Sequence, residues 1–291
     1  MSVIARFYGP EAGKKHELGD KIKDSLDQLS ELRPFPASVS SLLASLNDPQ
    51  ANAKTYANII ECDAALAVRL LRAANSPLYG VSNEVRSIEH AVTLLGVRSL
   101  KSLALSLAGA SLFHTGSKAV QERQQVWKHS LGCATVARAL ARYTTMVPHD
   151  EAFLAGIFHD VGKLFLYDFA PQDYATISAS DDLIEHERHL FDVTHEELGI
   201  RSASRWNLAE EIKVAIGYHH RSAEAPTHRE YATVVSVANQ LAYLGGVGSA
   251  PNAHAIIDDA ELEFLGVPRD ALPTILDESN HLFGHTQQIC A

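Results

Sequence analysis

A chain of 291 residues holds one large domain or two small ones, and 46% apolar against 21% charged residues excludes a mainly disordered chain. Its 25 lysines and arginines face 35 aspartates and glutamates, and the resulting charge of −10 opposes non-specific attraction to DNA, RNA or anionic lipid. No segment offers the roughly 18 uninterrupted apolar residues of a membrane helix; the nearest, Leu100–Phe113, is broken by Lys101.

The opening MSVIARFYGPEAGKKHELGD lacks an apolar centre of signal-peptide type, so a cytoplasmic protein is expected. After that polar start, helices are expected near His16–Leu32, Ser38–Leu46, Thr55–Glu61, Ala64–Ala74, Ile88–Leu95 and Arg98–Phe113. Asp63 is placed to cap the fourth of these, and Leu66, Leu70 and Ala73 repeat along it at helical spacing. Asn75-Ser76-Pro77 ends it, because proline cannot continue the hydrogen-bond ladder. The small and polar run His114-Thr115-Gly116-Ser117 is the best internal boundary.

Beyond it, a helix near Lys118–Arg142 carries His129, and another runs from about Glu151 to Asp160. Thr194 and Glu197 form a capping-box signature that puts His195 in a first helical turn. Asn207 with Glu210 repeats the signature, opening a helix that ends near His219-His220. Thr233–Val237 taken alone resembles a strand, but its continuation fits a helix near Glu230–Leu244 that carries Asn239 and is closed by Gly245-Gly246. A last helix is expected near Leu272–Phe283, with frayed residues after it. The fold class is therefore all-α. Its expected parts are an extension over 1–30, a helical half over 31–116, a histidine-rich half over 117–245 and a helical tail over 246–291.

Cys62, Cys133 and Cys290 form no CxxC pair and read as reduced, buried thiols. Histidine is the anomaly: of fifteen, nine fall between His129 and His228. His159-Asp160 follows the apolar run Phe153–Phe158, where a charged carboxylate is costly unless a cation or hydrogen bonds offset it. Imidazole beside carboxylate offers mixed ligation suited to iron, manganese, nickel or zinc. The dipeptide alone is a weak signal. It gains force from His129 in mid-helix, His195 at a capped start and His219-His220 at a helix end.

The arrangement His129 … His159-Asp160 … His219-His220 resembles the HD superfamily of metal-dependent phosphohydrolases, and more specifically the HDOD group of bacterial signalling proteins. The segments Leu32-Arg33-Pro34-Phe35-Pro36, Ala64 to Gly80, Ser87–Val92 with Leu95-Gly96, and Gly156 to Leu164 are similar to that group, over roughly Ser30 to Gly245. The resemblance implies an N-terminal helical subdomain followed by an HD-like helical bundle. Similarity to the related HD-GYP enzymes implies that His129, His159, Asp160, His195, His219 and His220 are metal ligands. Two positions depart from that pattern: Asn239 stands where those enzymes carry a ligating aspartate, and Gln125 where some carry a glutamate. The glycine-tyrosine-proline loop is also missing after His220.

Each candidate has a plainer alternative. Asp160 can cap or salt-bridge within the core, His129 can bond between helices, and His195 can be solvated beside Glu196 and Glu197. His186 and His189 compete as ligands but lie in Glu185-His186-Glu187-Arg188, which reads as an exposed helix face. Lys163 can hold a substrate phosphate, or it can be solvated or pair with Asp160.

Two functions follow from the resemblance. In one, the chain is a regulatory HDOD module with a metal-competent HD centre and a signalling protein as partner. In the other, it is a phosphohydrolase of a phosphorylated small molecule or nucleotide, with one or two divalent ions activating a bound water. Asp160 and that water are then catalytic, and Lys163 orients the anion. No membrane partner is expected, nucleic acid is disfavoured, and a homodimer is compatible with long amphipathic helices.

Overall fold

Helical periodicity dominates the chain, and the computed structural model follows it. The structure describes residues 50–76, 84–114, 119–178 and 182–290, with isolated positions between them, and contains helices and no strand among those residues. The extension over 1–30, the Leu32–Pro36 motif, Pro77 and the boundary at Thr115–Ser117 lie outside the described residues. Thr233–Val237 is helical, as its continuation required.

Among the described residues, three helices form the first half. Helix α1 (Ala53–Glu61) begins on an Asn52–Thr55 capping box. Helix α2 (Ala64–Ala74) starts where Asp63 Oδ1 accepts from the Leu66 amide at 3.0 Å, and buries Leu66, Leu70 and Ala73. Helix α3 (Ile88–His114) is broken at Gly96 (φ 78°, ψ 160°), so it is two helices on either side of that residue, as the sequence pattern divides it.

The second half is built round α4 (Val120–Leu140), whose side chains from His129 to Leu140 are all buried. A helix buried on every side must lie inside a bundle. It is covered by α3, α5 (His149–Phe158), α11 (Arg229–Gly245) and α13 (Leu272–Cys290). Between α5 and α11 come α6 (Val161–Phe169), α7 (Pro171–Ile177), α8 (Leu183–Phe191), α9 (His195–Arg205) and α10 (Glu210–Tyr218), with α12 (Asp259–Leu265) following α11. Buried charges are paired. Arg138 of α4 bonds Asp150 of α5, which also accepts from Ser99 of α3. Arg123 reaches Asp168 at 2.9 Å and the Leu112 carbonyl at 2.6 Å, joining α4 to α6 and α3.

Several expectations need correction. Helices α6, α7 and α12 have no counterpart in the sequence reading; α6 and α7 are short, and α6 is so apolar that periodicity is hidden. Asn207 does not cap α10, which begins at Glu210 after Ala209 and has no side-chain cap. Instead Asn207 adopts φ 52° and closes α9, with Asn207 N–H to Ser204 O at 3.1 Å and Leu208 N–H to Ala203 O at 2.9 Å. That double bond pattern is a Schellman motif, for which asparagine is suited because it tolerates the left-handed region. Helix α13 continues to Cys290 rather than fraying after Phe283. Cys62 is exposed, not buried, whereas Cys133 is buried. Gly246 (φ 66°) closes α11 as expected.

Candidate metal centre

Four elements deliver the histidines to one place. His129 comes from mid-α4, His159 and Asp160 from the turn between α5 and α6, His195 from the first turn of α9, and His219-His220 from the end of α10. The Thr194–Glu197 capping box forms in full, with Glu197 N–H to Thr194 Oγ1 at 3.3 Å and Thr194 N–H to Glu197 Oε2 at 3.2 Å, and it fixes where His195 enters. Helix α9 lies against α6 because Gly162 carries no side chain. A Cβ there would stand 1.8 Å from the His195 carbonyl oxygen.

Asp160 is the hub. Its Oδ2 lies 3.3 Å from His159 Nε2, 3.7 Å from His129 Nε2 and 2.7 Å from Lys163 Nζ. Its Oδ1 lies 3.5 Å from His195 Nε2 and 3.7 Å from His219 Nε2. The donor atoms thus fall into two triplets, His129–His159–Asp160 and His195–His219–His220, each within 4.8 Å. All are buried except His220, which reaches solvent.

The tautomers follow from the bonds. His159 Nδ1 meets the Gly156 carbonyl at 2.7 Å and His219 Nδ1 the Ile216 carbonyl at 2.9 Å; a carbonyl only accepts, so both Nδ1 atoms carry the proton. His195 Nδ1 donates to Glu187 at 2.8 Å. The Nε2 lone pair of a neutral ring is therefore free at each of these three positions, turned toward a carboxylate. His159 Nε2 and Asp160 Oδ1 are buried without a hydrogen-bond partner. Lone pairs facing lone pairs in a buried pocket are unfavourable unless a cation or proton lies between them. On this ground the residues fit a divalent metal.

Burial lowers His129 to about 3 and His219 to about 4, and burial with His219 and His195 nearby holds His220 well below its ordinary value. These rings are neutral ligands at neutral pH. Burial also acts to lower His159, but Asp160 and Cys133 outweigh it and raise the ring to about 10. Burial acts to raise Asp160, yet His159 and Lys163 hold its carboxyl well below the usual range. A proton shared at His159 and Asp160 thus stands where a metal's charge would be, and metal uptake would expel it.

The departed positions behave differently from each other. Asn239 Oδ1 sits 2.9 Å from His129 Nε2, so the amide occupies the nitrogen that would ligate. Tyr243, one turn on, stacks against the same ring at 4.3 Å. Gln125 is exposed and is not among the groups gathered there. His186 and His189 also lie outside both triplets; His186 bonds Ser180 and the Asp182 carbonyl.

Glu187 is the residue that the sequence reading missed. The stretch Glu185–Arg188 is on a helix, α8, but that face is not wholly exposed: Glu187 is fully buried. Its carboxylate accepts from the His195 backbone N–H at 2.8 Å, from His195 Nδ1 and from the Tyr174 hydroxyl at 2.7 Å. Carboxylate behind imidazole fixes the ring's orientation and raises its basicity toward a metal. The available signal was Phe191, four residues on, which shares its face and is buried.

The HDOD domain family profile matches residues 32–222. An HDOD domain protein of unknown function from Geobacter sulfurreducens is 25% identical, with a TM-score of 0.69 over 94% of this chain and 96% of that one. A Marinobacter aquaeolei VT8 structure, provisionally named a signal transduction protein, is 22% identical with a TM-score of 0.73 over 95% of this chain and 66% of that one. A Shewanella amazonensis SB2B structure, provisionally named a metal-dependent phosphohydrolase, is 21% identical with a TM-score of 0.69 over 96% and 100%. These last two likenesses establish the fold. The chain spans less than half the length of the curated relatives it matches, 42% and 29% of them. The profile covers well over half of the sequence, and the chain belongs to the HDOD domain family.

Proposed function

We propose that the chain is a signal-transduction module whose HD centre holds a divalent metal, and that metal occupancy, rather than turnover, is what its partner protein reads. The observation that carries this reading is the state of Lys163. Its ammonium is buried and spent on Asp160 at 2.7 Å, so the group expected to orient a substrate phosphate is committed to the centre itself. Access points the same way, because His220 alone among the six candidate ligands is exposed. His159, Asp160, His195 and His219 would hold the ion, with His220 at the mouth and His129 restrained by Asn239. Iron, manganese, nickel and zinc all suit this donor set. A cytoplasmic setting belongs to the same proposal; among the described residues no helix is long and apolar enough to cross a membrane.

Hydrolysis of a phosphoester is the second reading, favoured by the Nε2 atoms that converge on one carboxylate. When bound, a divalent ion supplies Lewis acidity toward a phosphoryl group. The chain's own part would be for Asp160 to position the ion, for Glu187 to hold His195 in its ligating tautomer, and for Lys163 to leave Asp160 for the anion.

Protein purified without chelators or nickel affinity, analysed for metal per chain and assayed on phosphomonoesters, phosphodiesters and cyclic dinucleotides with Mn²⁺ or Fe²⁺, separates the two. Retained metal without turnover is expected. Turnover that is abolished in Asp160→Ala would replace the regulatory reading with the enzymatic one, and metal-free protein that also fails to reconstitute would remove both.

A further inference from the structure

Away from the centre, a cavity of about 190 Å³ lies between the second part of α3, α5 and the start of α10. Its floor is aliphatic, formed by Leu105, Leu154 and Ile212, while Arg98, Ser102 and Glu211 supply polar groups. Arg98 touches Glu151 through Nε at 3.5 Å and is otherwise largely exposed, so its terminal nitrogens are open to a ligand. Glu151 is already engaged, since it also accepts from the Tyr231 hydroxyl. Glu211 forms no ion pair among the described residues, and the Ser102 hydroxyl, though buried, has no bonding partner among them.

The lining therefore presents one cation from α3, one uncommitted carboxylate from α10, a hydroxyl, and a greasy floor. A ligand that matches all four carries both charges on a compact head and an aliphatic body. Size narrows the choice, because a cavity of about 150 Å³ accommodates benzene, with six heavy atoms, so this one suits about eight, and the largely exposed Arg98 lets a charged head reach beyond it. We propose that the cavity binds a free aliphatic α-amino acid of leucine size. Its carboxylate faces Arg98 and Ser102, its ammonium faces Glu211, and its side chain lies on Leu105, Leu154 and Ile212.

Placement gives such a ligand a route to the metal centre. Glu151 and His159 are eight residues apart along α5 and its end, and Glu211 and His219 are eight apart along α10, about 12 Å in each case. The two helices that wall the cavity at one end hold candidate ligands at the other.

Calorimetric titration of the full chain with L-leucine tests the assignment, run with and without EDTA so that the outcome does not depend on the metal reading. Saturable binding at one site per chain is expected in both conditions. Arg98→Gln and Glu211→Gln, both at solvent-reaching positions, should each weaken it by about tenfold or more with unchanged thermal melts. Isoamylamine, which lacks the carboxylate, and 4-methylpentanoate, which lacks the ammonium, should bind at least about tenfold more weakly than leucine. No saturable binding of leucine, isoleucine or valine at millimolar concentration would overturn the proposal. So would isoamylamine binding as tightly as leucine, or leucine binding that both variants leave unchanged.

Discussion

Glu187→Gln isolates what a carboxylate behind His195 contributes. The wild-type oxygens accept from three donors: the His195 backbone N–H, His195 Nδ1–H and the Tyr174 hydroxyl. Glutamine keeps the volume but turns one accepting oxygen into a donor, so one or more of those bonds is lost in a site with no exposure. A hydrogen bond to a charged group is worth about 1.5–3 kcal/mol, and a stranded buried donor adds to its loss, so metal-free protein should lose about 2–4 kcal/mol. The neutral amide also stops reinforcing the basicity of His195 Nε2, which should weaken metal binding by roughly 10–100-fold. Urea denaturation of EDTA-treated protein reads the first quantity, and competitive metal titration of the native protein reads the second. Glu185→Gln, exposed on the same helix, is the control and should move neither by more than about 0.5 kcal/mol. If Glu187→Gln matched that control in both assays, the carboxylate would not be holding the ring and the tautomer argument for His195 would fall.

Asp150 gives the pH dependence. Burial acts to raise its carboxyl, but Arg138, with the Ser99 hydrogen bond, more than reverses this and holds it below the ordinary value of 3.8. A depressed carboxyl stabilises the fold above the unfolded pKa, and that contribution is lost as pH falls below about 4 through the folded value. Asp150→Asn strands the buried Arg138 and should cost about 3–5 kcal/mol at pH 7, with the gap to wild type narrowing below pH 4; equal gaps at both pH values in chemical denaturation would contradict this. Gly162→Ala forces a Cβ against the His195 carbonyl, so a loss of about 3 kcal/mol and weaker metal binding are expected in thermal melts and metal titration. Asn239→Asp returns a carboxylate to the side of His129, and should raise the metal-to-chain ratio measured by elemental analysis while lowering the melting temperature in EDTA.

The helical class, the break in α3 at Gly96 and the capped entry of His195 were legible because each rests on local chemistry: periodicity, a glycine, a Thr–Glu pair. The same local logic misassigned Asn207. Its side chain is equally suited to opening α10 or to closing α9 with φ above zero, and only the path of the backbone decides. Asp160 was legible because a carboxylate after six apolar residues demands a partner. Glu187 was not, because charged neighbours on both sides make Glu185–Arg188 look solvated, and the demand for a buried carboxylate comes from His195, eight residues away. Lys163 was read both ways from sequence, and its distance to Asp160 decides for the pair.

Charge and bonding favour one side of the centre over the other for a divalent ion. On the His129 side, Asp160 Oδ2 is covered by Lys163 at 2.7 Å and His129 Nε2 is held by Asn239 at 2.9 Å, so a cation there must displace an ammonium and break an amide bond. On the other side, Oδ1 is buried without a hydrogen-bond partner, and His195 Nε2 and His219 Nε2, which carry no proton when Nδ1 holds it, lie 3.5 Å apart. Two dications about 4 Å apart repel by roughly 16 kcal/mol at an effective dielectric of 20, and Asp160 alone cannot offset that. A single ion held by Asp160, His159, His195 and His219, with His220 at the mouth, is therefore expected. His195→Ala and His219→Ala should each abolish binding at micromolar metal, while His129→Ala should leave one ion per chain with affinity within about threefold, or roughly 0.65 kcal/mol, of wild type. Loss of the ion in His129→Ala, with folding intact by circular dichroism, would move the site to the other triplet and show that Asn239 and Lys163 do not keep a cation from that side.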